Sequence, residues 1–109
     1  MDQIGVGVIG VGLMGSLFAR LASQLPDSIL VGVADIDESR ASALGESLNA
    51  PAFADYNDLL ALPGLDAVVV ATPDAFHLQP ALAVAQARKH LMIEKPLATK
   101  IEDAIRIVD

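Results

Sequence analysis

The hexapeptide Gly10-Val11-Gly12-Leu13-Met14-Gly15 has the spacing G-x-G-x-x-G. In that pattern the first glycine permits a tight turn from a strand into a helix. The second lets the backbone approach a phosphate with no Cβ in the way, and the third lets the helix lie close on its sheet. The free N–H groups at the helix start and the positive end of its dipole then favour a pyrophosphate. Alone the motif also occurs as a structural glycine-rich turn, so it gains meaning only with a strand before it, a helix after it and an acid downstream. Asp35 is that acid. At the end of the next apolar run its carboxylate can accept hydrogen bonds from adenosine ribose hydroxyls and would repel a 2′-phosphate, which favours NAD over NADP; the alternative is an ordinary turn aspartate. Arg40 has two readings, a solvated arginine on a helix face or a cation that neutralises a 2′-phosphate. Met14 is expected to pack, against its helix or against a bound adenine.

The elements that must position these residues follow from hydrophobic period. Ile4 to Ile9 is a short run of β-branched residues and glycines, suited to a strand buried on both faces. From Leu13 to Leu25 the residues Leu13, Leu17, Phe18, Leu21 and Leu25 fall at helical spacing, and Pro26 stops the helix. Ile29 to Ala34 is a second strand, after which Asp37 can N-cap a helix from Glu38 to about Leu48. A short strand at Ala52 to Ala54, a short helix at Tyr56 to Leu62 and a strongly β-branched strand at Ala67 to Ala71 come next. Gln79 to Ala87 reads as an alanine-rich helix with Pro80 in its first turn, and Leu91 to Ile93 as a fifth strand. Thr99 with Glu102 three residues on forms a capping box for a final helix. Near-continuous apolar strands alternating with helices require right-handed crossovers and a parallel sheet covered on both faces. The expected fold class is therefore α/β, a doubly wound, three-layer αβα sandwich.

Composition narrows the function classes. A chain of 109 residues, 53% hydrophobic and 19% charged, has room for one folded core, and no repeat or linker-like stretch divides it. With 14 acidic against 7 basic residues, the formal charge of −7 repels nucleic acid and anionic membrane surfaces, and no Lys/Arg cluster offers a local exception. The absence of cysteine removes disulfides and thiolate metal sites and fits a cytoplasmic setting; no metal site is expected. The uncharged run Gln3 to Ala19 lacks a basic leader and is too short to span a bilayer, and its glycines are spaced for the phosphate loop.

Three segments carry a family resemblance. His90-Leu91-Met92-Ile93-Glu94-Lys95-Pro96-Leu97 resembles the E-K-P segment of the glucose-fructose oxidoreductase/inositol dehydrogenase (Gfo/Idh/MocA) family. Asp66-Ala67-Val68-Val69-Val70-Ala71-Thr72-Pro73 followed by His77 resembles its D-x-V-x-x-x-T-P-x-x-x-H, and Val33-Ala34-Asp35-Ile36-Asp37 resembles its second-strand ending. They occur in the family's order at compatible distances, so the resemblance covers essentially the whole chain. It implies an NAD(P)-binding Rossmann domain in which Gly10 to Gly15, Asp35 and Ile36 bind the cofactor and Thr72 and Pro73 line its path across the strand ends. It places His77 near the nicotinamide. It also implies that Lys95 is catalytic, close to the nicotinamide and a substrate hydroxyl, where its ammonium orients the cofactor and relays protons while Glu94 and Pro96 shape the turn. Arg88 departs from the family pattern, standing where a glycine commonly ends the helix.

The resemblance further implies that a sixth strand and a C-terminal α/β substrate domain lie beyond Asp109. The expected function is thus the cofactor domain of an oxidoreductase transferring hydride between nicotinamide and a hydroxyl or carbonyl of a sugar, inositol or related polyol. The isolated 109 residues are expected to be inactive, and an uncovered fifth strand to invite pairing between copies, hence a homo-oligomer. Two alternatives differ in class: a stand-alone dinucleotide-binding module without catalysis, and a β-hydroxyacid dehydrogenase-like cofactor domain, whose glycine loop looks similar but which lacks E-K-P after strand five.

Overall fold

The computed structural model describes residues 3–72 and 78–93, with the side chains of Leu78, Met92 and Ile93 left aside. Nine elements follow in the order β1 (Ile4–Ile9), α1 (Leu13–Gln24), β2 (Ser28–Ala34), α2 (Glu38–Leu48), β3 (Ala52–Phe53), α3 (Tyr56–Leu60), β4 (Ala67–Val70), α4 (Leu78–Gln86) and β5 (His90–Ile93). The strands form one parallel sheet in the order β3-β2-β1-β4-β5. The order reverses direction between β1 and β4, the switch point at which open α/β sheets bind ligands. Among the described residues β5 is an edge strand. The expected Thr99 helix lies outside the described residues.

Side chains of successive strand residues point to opposite faces, and each face carries a buried apolar cluster. On one, Val8, Leu30, Val33 and Val69 pack with Ala19 and Ala22 of α1 and Ala41 and Leu44 of α2. On the other, Ile9, Ala34, Val68 and Val70 pack with Leu59 of α3 and Val84 of α4. Val8, Val33, Val68, Val70 and Val84 are fully buried; each such valine contributes on the order of 1.5–3 kcal/mol of apolar burial. α3 is held down by two strand glycines facing each other in register, Gly7 and Gly32. A Cβ on Gly32 would lie 2.8 Å from Leu59 Cδ1, and one on Gly7 would lie 3.2 Å from it. The missing methyls are the socket for Leu59.

In α1 the buried face differs from the expected one. The residues against the sheet are Gly15, Ala19 and Ala22, with Phe18 half-buried, while Leu13, Leu17, Leu21 and Leu25 are exposed. The reason is a backbone contact. A Cβ on Gly15 would sit 1.7 Å from the carbonyl oxygen of Gly10, so the helix is so close to the end of β1 that only small side chains fit beneath it. The leucines therefore occupy its flank.

The caps follow local chemistry. The Asp37 side chain accepts from Arg40 N at the start of α2, as its position predicts. At the end of α4, Lys89 N–H donates to Val84 O and Arg88 N–H to Ala85 O, the bond pair of a Schellman motif with Arg88 as its left-handed residue at φ 59°. The turn that a glycine usually makes is thus kept, with an arginine in it. Among the described residues, no side chain caps α1.

Candidate functional site

β1, β2, β4 and β5 end level with one another, since Ile9 pairs with both Ala34 and Val70, and Val70 with Ile93. The glycine loop leaves β1 at this edge. Gly10 has φ +89°, a conformation side chains disfavour, and a Cβ on it would strike Thr72 N at 2.7 Å and Ala71 C at 2.9 Å. Its N–H donates to Ala34 O, and Ala71 N–H donates to Ile9 O. The turn is therefore pinned between the ends of β2 and β4.

Gly12 is the N-cap residue of α1, in extended conformation, and among the described residues no side chain caps the first-turn N–H groups. Such orphan donors need an external acceptor. Among the described residues, the one heavy atom within 4 Å of where a Gly12 Cβ would sit is Arg40 Nη1, at 3.8 Å. The open space above Gly12 thus combines unpaired donors, a helix dipole and a guanidinium, an arrangement that fits a phosphate ester. Ser16 braces the loop from the helix side, its Oγ donating to Val11 O at 2.9 Å.

Asp35 follows β2 and is half-buried. Its Oδ2 accepts from Val11 N at 2.8 Å and its Oδ1 from Asp37 N at 2.8 Å. Two backbone donors fix the carboxylate, and since each oxygen carries two lone pairs, acceptor capacity remains for hydroxyl groups. The same side chain ties the glycine loop to the second strand, a role spacing did not reveal. Val11 is turned inward, 1% exposed in the core, and its N–H serves Asp35; its part in the site is to hold the loop. Leu13, 89% exposed, and the more covered Met14 flank the helix start, while Ile36, 88% exposed beside Asp35, offers an apolar face at the loop's other side. Thr72 is half-buried next to Gly10.

The structure therefore brings Gly10, Val11, Gly12, Leu13, Met14, Gly15, Asp35, Ile36 and Thr72 to one edge of the sheet. Pro73, His77, Glu94, Lys95 and Pro96 lie outside the described residues. Arg40 joins the group from α2, and its proximity to Gly12 comes from the docking of α2 beside α1, which sequence spacing does not encode. Ser16 was not singled out in the sequence; a small hydroxyl directly after the third glycine was its available signal. Among the described residues no cluster of three or more His, Asp or Glu is arranged to hold a metal, and no helix is long and apolar enough to cross a membrane.

Comparison with known proteins agrees with this geometry. The family model for the oxidoreductase family, NAD-binding Rossmann fold, of Gfo/Idh/MocA type, matches residues 4–109. The inositol 2-dehydrogenase of Rubrobacter xylanophilus is 38% identical over 109 residues, 99% of this chain and 31% of that protein. Among solved structures, myo-inositol dehydrogenase from Lactobacillus casei, in complex with NAD(H) and myo-inositol, superposes with a TM-score of 0.89 at 37% identity over 98% of this chain and 32% of that one. The WlbA dehydrogenase from Bordetella pertussis, in complex with NADH and UDP-GlcNAcA, gives a TM-score of 0.89 at 34% identity over 98% of this chain and 33% of that one. The chain spans about a third of the length of these relatives. A parallel sheet switching direction beside an uncapped glycine loop, together with a family match that omits only the first three residues, makes this chain a member of the Gfo/Idh/MocA oxidoreductases, spanning their NAD-binding Rossmann domain.

Proposed function

We propose that the chain is the cofactor-binding part of a dehydrogenase that moves hydride between the nicotinamide of NAD and a hydroxyl or carbonyl carbon of an inositol, sugar or related polyol. The observation that carries the reading is the α1 N-terminus, where among the described residues the first-turn N–H groups have no side-chain partner, the space a Gly12 Cβ would take is open, and a fixed carboxylate stands at the neighbouring strand end. Bound NAD supplies the hydride acceptor. The first-turn N–H groups of α1 bind the pyrophosphate, and Asp35, held by Val11 N and Asp37 N, accepts from the adenosine ribose hydroxyls and repels a 2′-phosphate. Ile36 and Met14 lie against the adenosine half, and Thr72 lines the path toward the ends of β4 and β5. Pro73 lines that path with Thr72, His77 belongs to the nicotinamide side, Glu94 and Pro96 shape the turn that carries Lys95, and Lys95 orients the nicotinamide and passes a proton to or from the substrate oxygen. The polyol class is supported by relatives named inositol 2-dehydrogenase. In those relatives roughly two thirds of the length lies outside the matched domain, and substrate recognition is assigned there.

Calorimetric titration of the 109-residue chain tests the reading. NADH is expected to bind, and more tightly than NADPH; failure to bind either would refute the cofactor assignment. Oxidation of myo-inositol by the isolated chain would refute the assignment of substrate recognition to another domain.

A further inference from the structure

Negative charge gathers where the dinucleotide reading puts a diphosphate. Asp35 and Asp37 stand together at the end of β2, with Glu38 in the first turn of α2. The α1 dipole offers about half a positive charge against this. The described cations are Arg20, Arg40, Arg88 and Lys89. Arg88 and Lys89 precede β5 and so lie at the opposite edge of the parallel sheet, and Arg20 is on the exposed surface two turns into α1. Arg40 is left. Its backbone N–H donates to Asp37 O and to Asp37 Oδ1, and the next residue, Ala41, is fully buried, so the backbone at Arg40 and the direction in which its side chain leaves α2 are fixed. Its guanidinium ion-pairs with no carboxylate among the described residues and reaches back to Gly12, with Nη1 3.8 Å from the Cβ position that glycine leaves empty.

That empty space is the one a pyrophosphate enters. Resting on the dinucleotide reading above, we propose that Arg40 is a pyrophosphate ligand, closing on the diphosphate from the α2 side while the α1 N–H groups hold it from below. The guanidinium stands beside the empty Cβ position of Gly12, in the phosphate loop, so the arginine serves NAD and NADP alike and does not select for a 2′-phosphate. A planar guanidinium suits this task because it can donate to two phosphate oxygens at once. Being exposed, it stays hydrated until the ligand arrives, and its contribution is accordingly screened by salt.

The test is titration of wild type, Arg40→Ala and Arg40→Lys with NADH, NADPH and ADP at low and at about 0.3 M ionic strength. Arg40→Ala is expected to weaken all three ligands by a similar factor, about three- to tenfold at low salt, and to flatten the salt dependence, with an unchanged melting temperature. Arg40→Lys should recover part of the affinity. Weakening confined to NADPH would show that the arginine reads the 2′-phosphate and overturn the proposal. Equal affinities in wild type and Arg40→Ala would overturn it too, as would a loss of affinity that is independent of salt, which marks stacking on adenine. A wild-type chain that binds none of the three would remove the dinucleotide reading itself, and this role with it.

Discussion

Replacing Gly15 by alanine adds a single methyl, yet the structure assigns it a large effect. The new Cβ would lie 1.7 Å from Gly10 O, 2.8 Å from Gly10 C and 3.4 Å from Ala71 Cβ. The two nearest atoms are backbone and cannot rotate away. Restoring an ordinary contact of about 3.4 Å requires the first turns of α1 to withdraw by about 1.7 Å. A gap of that size under Ala19 and Ala22 forfeits much of their dispersion contact with the sheet, since even 0.5–1 Å loses roughly a quarter to a half. Overpacking of this kind costs about 1–3 kcal/mol and occasionally more, against a gain of about 1 kcal/mol from alanine's better helix propensity. With backbone on both sides of the clash the upper end applies, and the net loss is about 2–3 kcal/mol. For a domain of this size that lowers Tm by roughly 10–20 °C. Gly12→Ala is the control, because among the described residues beyond its chain neighbours its Cβ would meet nothing closer than Arg40 Nη1 at 3.8 Å. It is expected to change stability by less than about 1 kcal/mol while filling the phosphate space and weakening NADH binding. Urea denaturation of both variants, followed by circular dichroism, makes the comparison. Gly15→Ala unfolding within about 0.5 kcal/mol of Gly12→Ala would refute the claim that a backbone contact sets the height of α1.

Two further perturbations follow. Arg88→Gly relieves a left-handed arginine, which costs about 1–2 kcal/mol, and restores part of that as unfolded-state freedom; thermal melts should show a net gain of about 0.5–1 kcal/mol, and a loss would mean that the arginine side chain contributes at the end of α4. Asp35→Ala removes the acceptor of the N–H of Val11, a residue that is itself 1% exposed, so a loss of about 1–3 kcal/mol is expected in urea denaturation even without ligand; wild-type stability would show that the carboxylate does not anchor the loop.

Much of this structure is legible in the residues because it is local. The span Ile4–Ile9, the Asp37 cap and the stop before Pro26 depend on neighbours within one turn, and the alternation of strands and helices leaves one connection hand. The glycine loop was readable for the same reason. What escaped is set by tertiary contact. In α1 the leucines carry the strongest helical period, but a backbone carbonyl against Gly15 gives the buried face to glycine and alanine, whose hydropathy is too weak to announce it. Asp35 was legible as an acid at a strand end, whereas its grip on Val11 N depends on how β2 ends beside β1. Arg40 shows the same limit: spacing puts it one turn into α2, and only the docking of that helix puts it over Gly12.

The socket of Leu59 has a consequence for how this sequence can change. Gly7, Gly32 and Leu59 come from three separate segments and share one small volume. A methyl on Gly32 presses on Leu59 Cδ1 at 2.8 Å and one on Gly7 presses on Leu65 Cδ1 at 2.9 Å and on Leu59 at 3.2 Å, while trimming Leu59 alone leaves a void, so each single substitution is unfavourable in its own background. A trimmed leucine together with a methyl below it fills the same space again. The three positions should therefore drift through sequence history as a set, with the effect of each replacement reversing sign according to what the other two already are.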